Sequence, residues 1–322
     1  MAVLFITSTR IGDAVLSTGV LDHILLQYPG ARVTVACGPA AAPLFAAVPG
    51  LERVIELRKR RFSGHWLDLW AATVGTRWDL VADLRGSAIA WLLRAGERLV
   101  LKPSAGLRHR VPHNADLFGL GDAPPPPKVW TLPSHRAAAA LHIPAGPPVL
   151  AVGPTANWGG KQWPAERFAA LVEGLTAADG ILPRARVAVF GAASERAMAE
   201  PLLAAIPAER RIDIVGQLDL LTAHACLERC ALYVGNDSGL MHLAAASGTP
   251  TLGLFGPSRE QVYAPWGRHT AFVRTDLSYD EILAKPGYDY RKSDTHMDSL
   301  SVAKVLAAAE ALWSRVQAER AA

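Results

Sequence analysis

A chain of 322 residues, half hydrophobic and 19% charged, has a globular composition with length for about two domains. Its net charge of +4 is mild, and the basic runs Arg58-Lys59-Arg60-Arg61 and Arg108-His109-Arg110 lack interleaved aromatics, so no nucleic acid is expected. No apolar run approaches the roughly 18 residues of a transmembrane segment. Residues 1–6 lack the basic head of a signal peptide, so a cytoplasmic location is expected. Three cysteines, an odd number, argue against a disulfide framework; Cys226 and Cys230 read as small buried residues sooner than a metal site.

In chain order, residues 3–7 predict a strand, followed by Ser8-Thr9-Arg10-Ile11-Gly12-Asp13 and a helix carrying Val15, Leu16, Val20, Leu21, Ile24 and Leu25 at helical spacing. Strands over 32–37, 53–57, 79–83 and 98–101 alternate with helical stretches at 43–48, 66–74 and the apolar run through 93. Pro124-Pro125-Pro126-Pro127 breaks any helix, and a second Pro/Gly stretch over 142–148 marks the domain boundary. The βα rhythm then restarts. Strands are predicted over 149–153, 186–190, 230–234 and 251–255, with helices over 164–175, 195–205, 218–229 and 240–247. The tail, 301–318, is an amphipathic helix. The domains are thus 1–145, 146–300 and a terminal helix, 301–322. Repeated βα order predicts two Rossmann-like, doubly wound parallel sheets, with ligands at the carboxyl ends of the strands.

The most informative turn is Gly235-Asn236-Asp237-Ser238-Gly239, between an apolar strand and a buried helix. Helix starts carry unpartnered N–H groups and partial positive charge, which suits phosphate. Ser238 and Gly239 fit that use, and Asp237 suits sugar hydroxyls. The plainer alternative is that Asp237 or Ser238 only caps the helix. The loop 153–164 is no Walker A sequence, having Gln162 where Ser or Thr is required, yet it brings Thr155 and Lys161 to the same sheet edge. Gly191 to Arg196 should approach a nucleoside, with Glu195 at the ribose. His242 either touches diphosphate or is a packed core residue. Asp13, at the first βα turn, is either a general base or a favourable charge at a helix start. Asp83 and Arg85 border the first sheet's edge, where Asp83 could equally be a strand-end cap. Arg60, Arg61 and Arg108 are either solvated surface charge or a landing site for an anionic acceptor or membrane face. No Asp-x-Asp and no metal-ligand spacing occurs, and no G-x-G-x-x-G supports a nicotinamide or flavin cofactor.

Gly235-Asn236-Asp237-Ser238-Gly239 with Met241-His242, then Pro250-Thr251 and Phe255-Gly256-Pro257-Ser258, resembles the signature of glycosyltransferase family 9, the ADP-heptose:lipopolysaccharide heptosyltransferases. Lys161-x-Trp163-Pro164 with Phe168 and Leu171, and Gly12-Asp13, are similar to further motifs of that family. The resemblance implies GT-B architecture: two Rossmann-like domains facing a central cleft, with the last helix crossing back onto the first. It implies inverting, metal-independent and cofactor-free transfer of a heptose or heptose-like sugar. The implied donor is ADP-heptose, and the implied acceptor is an anionic lipopolysaccharide core or related glycolipid at the inner membrane surface. On this reading Asp13 is the general base and Lys161 stabilises the leaving diphosphate. Thr155, Glu195, Asp237, Ser238, Gly239, Leu240 and His242 complete the donor site, while Arg60, Arg61, Asp83, Arg85 and Arg108 serve the acceptor. The alternatives are a transferase of another nucleotide sugar, a sugar-nucleotide epimerase, or a catalytically silent binding protein.

Overall fold

The computed structural model describes every residue except Ala105, Ser293 and Ala322. The first unit, Met1–Leu132, is built on five parallel strands: β1 (Ala2–Ile6), β2 (Arg32–Cys37), β3 (Leu51–Glu56), β4 (Trp78–Asp83) and β5 (Ala95–Val100). Their order is β3-β2-β1-β4-β5. β1 is apolar throughout and β4 is apolar between Asp79 and Asp83, because helices cover both faces of such a sheet. Strand order reverses between β1 and β4, so the loops after these two strands part there and leave a crevice at their carboxyl ends.

The second unit, Pro133–Ala322, repeats the plan with six parallel strands. They are β6 (Val149–Gly153), β7 (Arg186–Val189), β8 (Arg211–Asp213), β9 (Leu232–Asn236), β10 (Thr251–Phe255) and β11 (Thr270–Arg274). The order β11-β10-β9-β6-β7-β8 reverses between β6 and β9. The strands β8 and β11 have no counterpart in the predicted elements: β8 has only three residues, and β11 is an edge strand with mixed exposure and no clean apolar run.

The boundary falls at Leu132/Pro133, not at 145/146, because the helix Pro133–His142 packs against the helix Leu220–Leu227 of the second unit. The Pro/Gly stretch expected to separate domains lies inside that unit. The last helix, Val302–Ala321, packs within the second unit. Its buried stripe Val305, Ala309, Leu312 and Val316 joins the second unit's core, against the helix Ala165–Thr176 and β11.

All three cysteines are buried and free. Burial disfavours the thiolate and pushes the Cys37 and Cys226 thiols up to about 12, and Cys230 also well above its ordinary value. Native protein at pH 8 should therefore take up almost no maleimide or aromatic disulfide reagent, and all three thiols should react after denaturation. Rapid labelling of the folded chain would contradict this burial.

Candidate functional site

The crevice of the second sheet is assembled by one buried amide. Asn236, at the end of β9, is fully buried. Its Oδ1 accepts the Trp163 N–H at 3.1 Å, and its Nδ2 donates to the Pro154 carbonyl at 2.8 Å, so both ends of the loop after β6 are fastened to β9. Distant chain completes the loop: the Trp163 indole donates to the Leu300 carbonyl at 2.8 Å, the His296 N–H to Gly160 at 3.0 Å, and the Thr295 hydroxyl to Gln162 at 2.6 Å. Lys161 is thereby held at the sheet edge.

Its ammonium meets Asp237 Oδ2 at 2.5 Å, with the Asp237 side chain only 6% exposed and that of Lys161 24%. The two residues expected to serve diphosphate and sugar separately are thus one pair. An ammonium has three donors, so the pair leaves Lys161 further N–H groups for an anion, while Asp237 fixes its direction. Ser238 is extended, with φ −147° and ψ 171°, and its side chain makes no capping bond to the helix Gly239–Ala246. The capping alternative is therefore not realised for Ser238, whose hydroxyl and the first-turn N–H groups stand beside the Lys161–Asp237 pair. Gly239 and Leu240 are partly exposed at that helix start. His242, 4% exposed, is on the buried face of the helix.

At the neighbouring strand end the Thr155 hydroxyl donates to Glu195 Oε2 at 2.8 Å, and the same oxygen accepts the Ala192 N–H at 2.9 Å. Glu195 thus builds the rim of the crevice with Oε2.

Residues 99–285, more than half of the chain, match glycosyltransferase family 9 (heptosyltransferase). The chain belongs to this family. It is 25% identical to lipooligosaccharide heptosyltransferase 2 of Haemophilus influenzae, over 85% of this chain and 88% of that protein. It is 27% identical to lipopolysaccharide heptosyltransferase 1 of Pseudomonas aeruginosa, over 88% and 87%. Among solved structures, E. coli ADP-heptose LPS heptosyltransferase II shares the fold with a TM-score of 0.74 at 21% identity, covering 98% of this chain and all of that one. A family 9 glycosyltransferase from Veillonella parvula does so with a TM-score of 0.79 at 20% identity, over 98% and 97%. The two doubly wound units are those of the GT-B architecture.

In the first unit of this glycosyltransferase, Asp13 lies on the short helix Ile11–Val15 that follows β1, beside the crevice between β1 and β4. Arg110 Nε stands 3.7 Å from its Oδ1. Arg110 begins the helix Arg110–Ala115, which is tied to the Asp13 segment by Asn114 Nδ2 donating to the Leu16 carbonyl at 3.1 Å. Arg108, the member of this run expected at the acceptor, pairs with Asp116 at 2.5 Å. Nothing in the run itself distinguishes the two arginines; a contact across about a hundred residues does.

Asp83 ends β4 at the carboxyl edge of the first sheet. It is fully buried; Oδ1 accepts the Arg85 N–H at 2.8 Å, and Oδ2 accepts the Ser87 N–H at 2.7 Å and hydroxyl at 2.5 Å. Burial raises its carboxyl above the ordinary value, against these hydrogen bonds. It is the strand-end cap, shaping the loop that presents Arg85. Arg85 lies over the Trp66 ring at 5.6 Å. In the basic run Arg60 is held by Asp68 at 2.8 Å and Arg58 by Glu56 at 2.6 Å, whereas Lys59 and Arg61 have no ion pair among the described residues. Arg61 lies over the ring of Phe62, which is 96% exposed.

Proposed function

We propose that this chain transfers heptose from ADP-heptose to the lipopolysaccharide core or a related anionic glycolipid, with inversion at the sugar carbon. The observation that carries the donor half is the helix start at Ser238-Gly239, left uncapped by Ser238 beside the Lys161–Asp237 pair. Two relatives lend support by what they hold or are called: one E. coli heptosyltransferase was solved with ADP, and another is named for ADP-heptose. In the reaction the bond between the sugar carbon and the diphosphate oxygen breaks, and its electron pair leaves on that oxygen. The acceptor hydroxyl oxygen forms the new bond from the opposite face, and its proton passes to the Asp13 carboxylate. Lys161 and the first-turn N–H groups stabilise the charge on the departing diphosphate. Thr155 and Glu195 line the nucleoside side.

The decisive test is incubation with ADP-heptose and heptose-deficient lipopolysaccharide. Expected are a mass gain of one heptosyl unit on the acceptor, stoichiometric ADP, and an inverted anomeric centre by NMR. Transfer only from another nucleotide sugar would favour the broader alternative, and nucleotide-sugar binding without turnover the silent one. Because fixed protein groups supply the positive charge at the leaving group, activity should survive EDTA. A strict need for Mg²⁺ or Mn²⁺ would remove that role from Lys161 and the helix start.

The acceptor reading rests on Lys59, Arg61 and Phe62, a combination suited to an anionic lipid surface, where each basic residue contributes about 1 kcal/mol. The double variant Lys59→Glu/Arg61→Glu should raise the acceptor KM on anionic vesicles in a salt-dependent way, with donor binding unchanged. Unaltered acceptor kinetics would make this run solvated surface only.

A further inference from the structure

Tyr233 lies two residues before Gly235 on β9, so both face the same side of the sheet. Gly235 is in register with Gly153 at the end of β6. A Cβ on Gly153 would stand 2.1 Å from the Tyr233 hydroxyl oxygen, and one on Gly235 2.3 Å. Two adjacent strands thus forgo side chains where the phenol passes, and the ring runs along the sheet toward its carboxyl edge. Leu240, in the first turn of the helix Gly239–Ala246, sits 3.2 Å from the same Gly153 position, so the hydroxyl ends beneath that helix start.

Tyr233 is fully buried, and its hydroxyl completes no hydrogen bond among the described residues. A hydroxyl without a partner inside a protein costs about 1–3 kcal/mol, so one retained there calls for a use. Burial pushes the phenol far above its ordinary value, so it stays a donor at every working pH. The Ser238 side chain is near enough to act against that shift, though the two hydroxyls do not close a bond of full geometry. Ser238 is not engaged in capping its helix, so its hydroxyl is available to turn.

We propose that Tyr233 is a positioning residue for the donor: its hydroxyl donates to Ser238 Oγ from below, so that Ser238 donates its own proton upward to a diphosphate oxygen. The relay rests on the donor reading of this crevice. Without Tyr233 the Ser238 hydroxyl rotates freely and spends part of its time pointing away from the phosphate. The closing of this bond when diphosphate binds makes Tyr233 a determinant of phosphate affinity that never touches the ligand.

The test is calorimetric titration of wild type, Tyr233→Phe, Ser238→Ala and the double variant. The ligand is whichever of ADP, UDP, GDP and CDP wild type binds most tightly, with the matching nucleoside as control. Phe keeps the ring in its lane, so thermal stability should hold or rise. Tyr233→Phe should weaken the diphosphate roughly 2- to 10-fold, the range of one net hydrogen bond, and leave the nucleoside unaffected. In the Ser238→Ala background the same change should have no further effect. Unchanged diphosphate affinity in Tyr233→Phe, an equal loss for the nucleoside, or additive losses in the double variant would each overturn the relay while leaving the donor reading standing. Failure of wild type to bind any of the four would overturn the donor reading and the relay with it.

Discussion

Replacing Lys161 by Ala should weaken nucleoside diphosphate binding on the order of 10²- to 10³-fold, more than one lost phosphate contact explains. The reason is Asp237. With its side chain 6% exposed and its carboxylate 2.5 Å from the ammonium, it depends on Lys161 for compensation. Removing the ammonium leaves a buried negative charge next to the place where two phosphates must sit, so attraction is lost and repulsion is added. The double variant Lys161→Ala/Asp237→Asn should therefore bind nucleoside diphosphate more tightly than Lys161→Ala alone. Asp237→Asn by itself keeps the ammonium and should bind within a few-fold of wild type. Titration of the four proteins resolves the terms. Wild-type affinity in Lys161→Ala would take the lysine out of the site, and a double variant no better than the single one would show that Asp237 is screened.

The pair also marks how far sequence reaches here. The turn 234–246 is legible because its chemistry is local: an apolar strand, small and acidic residues, and a helix start lie in consecutive positions. Lys161 is legible from its family-like surroundings, but its bond to Asp237 spans 76 residues and follows from which strands become neighbours. The same is true of Asn236, which looks like part of a motif and acts as the clamp for both ends of the opposite loop. Charge runs are read least well. Arg58-Lys59-Arg60-Arg61 looks like four equivalent cations, yet Glu56 and Asp68 pair with Arg58 and Arg60 and leave Lys59 and Arg61. Arg108 and Arg110 separate in the same way, toward Asp116 and Asp13. The last helix was legible as an amphipathic element, but periodicity says which face is buried and not against what. Its stripe meets the second unit's core.

Asp13→Asn should leave folding and donor affinity intact and lower kcat by about 10²- to 10⁴-fold, the usual worth of general-base catalysis. Asn keeps the shape and one acceptor oxygen but cannot take the acceptor's proton at neutral pH. The 3.7 Å approach of Arg110 to Oδ1 gives the carboxylate a fixed neighbour, so Arg110→Ala should impair turnover through Asp13. In the Asp13→Asn background that second change should add little, since a guanidinium that acts by orienting a base has nothing left to orient. A purely electrostatic role for Asp13 at its helix start makes a different forecast. Both variants would then cost about 0.3–1 kcal/mol of stability and leave turnover nearly intact. Steady-state transfer with the true donor and acceptor, together with thermal unfolding of the same proteins, separates the two cases. Near-wild-type kcat in folded Asp13→Asn would remove it as the base and leave the proton to another group.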